Sequence, residues 1–220
     1  MTAVRASRSK RRGVHATLRS ASLQRLCGEL QPWRTSDDLK VLRAAKGSAL
    51  VLPFVKGLML SAQLIYILRE ELSETTLEVD WGHLLDDNDK SCSPECDIII
   101  HHKGHAGRWD GGDERVMDFK FVKQDSAVAV ISCKSYAKDV DKEYAQKLRR
   151  YVKHVFLFAE CCAPGKVASL QRKARDAGYA GFGYAYTFDE KNSECDNNEK
   201  GWPTFLDAVV SRAKRARGAK

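Results

Sequence analysis

The chain has 220 residues, of which 43% are apolar and 30% charged, and its formal net charge is +8. That length predicts one large domain with extensions, and that apolar fraction excludes a chain disordered by composition. The charge is uneven: residues 1–19 hold six cations and residues 211–220 five, with no acid in either, so residues 20–210 sum to −3.

Basic ends suit phosphate contact, because each neutralised phosphate releases counterions, and they equally suit solvated termini. No apolar run follows Arg11 and Arg12, so the N-terminus does not read as a secretory leader. Seven cysteines without such a leader predict reduced thiols, in a cytoplasmic or nuclear setting rather than a secreted one. Four parts follow: a basic, disordered tail at 1–19, a helical extension at 20–52, a main domain at 53–210 and a basic tail at 211–220.

In chain order, residues 20–50 read as irregular helix, broken at Pro32 and restarted by the N-cap cluster Ser36-Asp37-Asp38. From Pro53 to about residue 73, Leu60, Leu64, Ile67, Leu68 and Leu72 recur at helical spacing. This is the most apolar part of the chain, yet Pro53, Lys56 and Gln63 argue for a core helix and against a membrane span. The period then shortens. Residues 77–81 alternate as a strand, 96–100 form a short apolar strand, 104–112 a loop and 116–122 another alternating strand. Residues 127–131 read as a strand buried on both faces.

A helix is expected over 138–153, a strand over 154–160 and a helix over 165–177 stopped by Gly178. A strand over 179–188 and a closing helix over 202–215 complete the order. Meander strands followed by crossovers predict an α/β fold with a mixed central sheet flanked by helices.

Two stretches narrow that class. In Ser93-Pro94-Glu95-Cys96-Asp97-Ile98-Ile99-Ile100, an aspartate opens an apolar strand. In Val128-Ala129-Val130-Ile131-Ser132-Cys133-Lys134-Ser135, a lysine closes a buried one. An aspartate in line with a lysine on a neighbouring strand makes a place for a metal and an anion. The pattern resembles the PD-(D/E)XK superfamily, over roughly residues 53–188.

The resemblance implies a restriction-endonuclease-like core and a metal-dependent nuclease hydrolysing phosphodiester bonds, with DNA as the partner, no membrane and room for a homodimer. It implies Mg²⁺ or Mn²⁺ held by Asp97 and the Cys133 carbonyl, with Lys134 as the catalytic cation. Mg²⁺ prefers hard oxygen ligands, and a metal acidifies bound water. The motif's acid position is occupied by Ser132, a poor ligand. A subgroup of restriction enzymes is similar in having Ser-Cys-Lys here and an acid from the next helix, which points to Glu143 as metal ligand and catalytic residue. Glu160 and Asp125 are other donors, and Glu70, Glu71, Glu74 or Gln63 could represent the glutamate that the superfamily often places on its first helix. The alternative is an inactive domain that binds nucleic acid or a protein partner.

Lys142, Lys147, Arg149, Arg150 and Lys153 make the crossover helix basic and suited to a phosphate backbone. Cys92, Cys96, His101, His102 and His105 could be assembled into a zinc site, but no second matching pair supports one.

Overall fold

The computed structural model describes residues 17–36, 48–104, 106–108 and 119–216, with side chains from 55 onward in the second stretch and backbone alone in 106–108. Residues 17–30 form α1, Pro32–Thr35 α2 and Ser48–Glu71 α3. The first strands are β1 (Leu77–Leu85), β2 (Cys96–His102), β3 (Ala106–Arg108) and β4 (Phe119–Lys123). Then come β5 (Ala127–Ala137), α4 (Lys142–Leu148), β6 (His154–Cys162), α5 (Val167–Ala177), β7 (Gly181–Asp189), β8 (Glu194–Asn197) and α6 (Gly201–Arg215).

The strands form one mixed sheet in the order β3-β4-β1-β2-β5-β6-β7-β8. β5, β6 and β7 run parallel, joined by the crossovers α4 and α5, while β2 pairs antiparallel with both β1 and β5. The predicted α/β class and mixed, helix-flanked sheet are therefore present. Each central strand buries both faces, which explains the unbroken apolar runs. Ile98, Ile100, Ile131, Phe156 and Phe158 pack toward α1, α3 and α6. Ile99, Val130, Val155 and Leu157 pack toward α4 and α5.

Several boundaries differ from the sequence expectation. α3 begins at Ser48, so Pro53 lies a turn inside it. β5 runs on to Ala137 because its pairing with β6 continues to Ala137↔Cys162, which leaves α4 only seven residues. Lys134 is therefore inside its strand rather than at its exit. β3 occupies part of the expected loop, and β8 was not anticipated. Gly178 does take the left-handed C-cap conformation after α5, at φ 91°.

The predicted tails are shorter than the basic runs suggested. Arg19 grips both carboxylate oxygens of Glu71 at 3.0 Å and Asp207 at 2.7 Å, and Ala213 is buried within α6. α1 likewise buries Leu23, Leu26 and Leu30 in the main core instead of standing apart as an extension. Residues 1–16 and 217–220, the cap residues Asp37 and Asp38, residues 116–118 and His105 lie outside the described residues. No helix among the described residues is long and apolar enough to cross a membrane.

Glu78, Asp80 and His101 bring their ligand atoms within 4.8 Å of one another. Yet both Asp80 oxygens are already engaged, one by Arg69 at 2.8 Å and the other by His101 Nε2 at 2.8 Å. His101 is fully buried, and its Nδ1 faces the His102 carbonyl at 3.0 Å, so both ring nitrogens meet acceptors. The cluster is a closed ion network rather than a metal centre.

Burial alone would raise the Asp80 carboxyl, but the hydrogen bond and charge of His101, then Arg69, outweigh it and hold the group below its ordinary value. A depressed carboxyl stabilises the fold above its unfolded pKa, and the contribution disappears as pH falls below about 4. Asp80→Ala should cost roughly 3–5 kcal/mol at pH 7, by leaving the fully buried His101 without its carboxylate. The difference from the parent should shrink toward pH 3 in urea titrations.

Candidate active site

The antiparallel pairing Ile98↔Ile131 sets the site. Beyond that pair, Glu95 and Asp97 lie just before Ile98, and Ser132, Cys133 and Lys134 follow Ile131 on β5. These residues border a cleft of about 320 Å³ between α3 and α4, lined by Gly57, Leu58 and Ser61 from α3 and Tyr144 from α4. Trp81 of β1 and Glu95, Asp97, Ser132, Cys133 and Lys134 complete its wall. Trp81 owes its place to a bulge between Asp80 and Gly82. The chain passes so close to β4 there that a Cβ on Gly82 would lie 1.8 Å from the Lys120 carbonyl oxygen. Only glycine fits.

Asp97 Oδ2 accepts a hydrogen bond from the Cys133 amide at 2.8 Å, which ties β2 to β5 beside the lysine. Burial pushes the Asp97 carboxyl above its ordinary value, and the neighbouring charge of Glu95 adds to the rise. The Cys133 amide and the Lys134 charge oppose it. The Lys134 ammonium lies 5.9 Å from the centre of the Tyr144 ring. Burial raises the Cys133 thiol well above its usual range, leaving it inert. Ser132 is buried, and its hydroxyl makes no hydrogen bond among the described residues.

The other sequence candidates fall elsewhere. Glu143 is exposed and pairs with Lys147 at 2.8 Å on the outer face of α4, outside the cleft. Glu160 is fully buried, and its Oε1 is held by Arg34 Nε at 2.7 Å and by the Tyr186 hydroxyl. Asp125 stands at the opposite end of β5. Glu70 and Glu71 are paired with Arg25 and Arg19, and Glu74 is exposed. Gln63 is half-buried on α3 and does not line the cleft. Lys142, Arg149, Arg150 and Lys153 are exposed on α4 and the turn after it.

Cys96 donates to the Pro94 carbonyl at 3.4 Å, and all seven cysteines are free thiols. Glu95 and Tyr144 are the site residues that sequence reasoning passed over. Trp81 Nε1 donates to Glu95 Oε1 at 2.8 Å, and the Tyr144 hydroxyl donates to the Glu95 carbonyl at 2.8 Å. The one available signal was the spacing of Glu95, two residues before Asp97.

No family model and no curated protein matches the sequence. Solved structures do match. NucC from E. coli MS115-1 in its cAAA-bound form has a TM-score of 0.58 at 12% identity, with 91% of this chain and 90% of that chain covered. NucC from P. aeruginosa ATCC27853, also cAAA-bound, has a TM-score of 0.58 at 13% identity with the same coverage. The apo form of the E. coli protein has a TM-score of 0.53 at 11% identity, covering 90% of each chain. Identity this low speaks for architecture and not for individual residues. The strand order and the crossovers agree with these matches: the chain has the α/β fold of the NucC structures, a mixed sheet flanked by helices, with Ser132 where the motif it resembles has an acid.

Proposed function

We propose that the chain is a metal-dependent nuclease that hydrolyses phosphodiester bonds in DNA. The observation that carries this reading is the convergence of Asp97 and Lys134 on one cleft of a nuclease fold. The residues fit a hard divalent cation such as Mg²⁺ or Mn²⁺, for two reasons. The Ser132 hydroxyl is buried at the cleft without a partner, and the Asp97 carboxyl is raised, so its charged form gains from a nearby cation. Asp97 and the Cys133 carbonyl would hold the ion, which supplies acidified water and neutralises phosphate charge.

Lys134 places a movable positive charge where the scissile phosphate gains negative charge. Its ammonium lies 5.9 Å from the centre of the Tyr144 ring, within cation–π reach. The test is cleavage of plasmid DNA, with and without divalent ion, by the parent chain and by Lys134→Ala. Lys134-dependent, EDTA-sensitive nicking supports the reading. Binding without cleavage by both proteins would favour an inactive nucleic-acid-binding domain.

Lys142, Arg149, Arg150 and Lys153 form the substrate-facing basic strip of this reading. Each phosphate that is no longer neutralised should take about 0.9 from the slope of log affinity against log salt on B-DNA. Replacing all four with glutamine should lower affinity and flatten that slope, while cleavage at saturating DNA persists. An unchanged slope in fluorescence anisotropy titrations would assign these cations to solvent.

A further inference from the structure

The proposed metal site is short of one carboxylate, because Ser132 stands where the motif has an acid. We infer that Glu95, two residues before Asp97 on the same chain segment, supplies that carboxylate. The inference rests on the nuclease reading above, but it concerns cation binding and can fail separately.

Three observations carry it. First, among the described residues Glu95 and Asp97 are the acids that line the cleft. The helix acid Glu143 points away into its pair with Lys147, and Glu160 is sealed beneath Arg34. Second, Glu95 is braced at both ends. The indole of Trp81 holds Oε1 at 2.8 Å, and the Tyr144 hydroxyl holds its carbonyl at 2.8 Å. Among the described residues, Oε2 accepts no hydrogen bond. A carboxylate fixed by one oxygen, with the other available, is the supporting arrangement usual for metal ligands.

Third, the same cleft holds the buried Ser132 hydroxyl, which has no partner of its own. Two carboxylates and an unsatisfied hydroxyl on one wall form an oxygen-rich pocket suited to a hard cation and its waters.

On this assignment the acid arrives from the Asp97 segment itself, just ahead of β2. Trp81 is then a positioning residue: it touches neither cation nor phosphate but fixes the rotamer of Glu95.

The test is Mn²⁺ binding to the full chain without nucleic acid, read from the electron paramagnetic resonance signal of free Mn²⁺. Folding of each variant is checked by its urea midpoint. Glu95→Gln keeps the size of the side chain and its contact with Trp81. It should weaken Mn²⁺ binding by at least the roughly 10- to 100-fold that losing even a supporting partner of a metal ligand costs. Asp97→Asn should do so at least as strongly, and Glu143→Ala should leave binding unchanged. Trp81→Phe, which frees the carboxylate without removing it, should give a smaller loss.

Parental affinity in Glu95→Gln beside a loss in Asp97→Asn would overturn the assignment of Glu95 while leaving the nuclease reading intact. A loss in Glu143→Ala with none in Glu95→Gln would return the role to the helix. Absence of Mn²⁺ binding by the parent chain would overturn both.

Discussion

Lys134→Ala should lower the cleavage rate by roughly 10²- to 10⁴-fold, the usual worth of one positioned group acting on a proton or a developing charge. Affinity for DNA should stay within a few-fold of the parent, because a contact made only in the transition state contributes to rate and not to ground-state binding. Asp97→Asn should be at least as damaging and should abolish the response to Mn²⁺. Single-turnover cleavage measured beside anisotropy titrations separates the two quantities. If affinity fell as far as rate in Lys134→Ala, the lysine would be a phosphate-binding contact rather than a catalytic cation.

A stability effect as large as that at Asp80 should come from Arg34. Its guanidinium donates to Glu160 Oε1 and to the Ser135 carbonyl, directly after Lys134, and it lies 5.3 Å from the Tyr136 ring centre and 5.8 Å from that of Phe188. Glu160 is fully buried, and its Oε2 has no hydrogen bond. Arg34→Ala would leave that buried carboxyl group with the Tyr186 hydroxyl as its hydrogen-bond partner among the described residues, at a cost of roughly 3–5 kcal/mol. Replacing both members, as Arg34→Met with Glu160→Gln, should recover much of the loss. Urea midpoints of the single and double variants measure the difference, and equal loss in both would deny the coupling. Because Arg34 sits on α2 and grips the strand end beside Lys134, α2 forms part of the frame of the site.

The residues themselves expose how much of this was legible. Apolar periodicity located α3, the central strands and both crossover helices. The pair of stretches around Asp97 and Lys134 pointed to the cleft, because a carboxylate and an ammonium bordering apolar strands are poor choices for packing alone. Phase and register were hidden. Glu143 looked suitable by its spacing from Lys134. α4, however, starts only after Asp141, whose side chain accepts from the Tyr144 amide at 2.9 Å. That start turns Tyr144 inward and Glu143 outward, and a shift of one residue in the start would rotate the helix by about 100°.

Glu160 looked like a donor at a strand exit, yet its partner Arg34 comes from 126 residues earlier in the chain. Glu95 attracted no attention because its partners Trp81 and Tyr144 are 14 and 49 residues away. By itself, the sequence determined the sheet class, the buried strands and the Asp97 and Lys134 stretches that border the cleft, since these follow from local periodicity and side-chain chemistry. The tertiary structure decided which acid faces the lysine, which acids are sealed by arginine, and where the basic ends become helix. Those outcomes depend on strand register, helix phase and pairing between distant segments, and none of these is a property of neighbours along the chain.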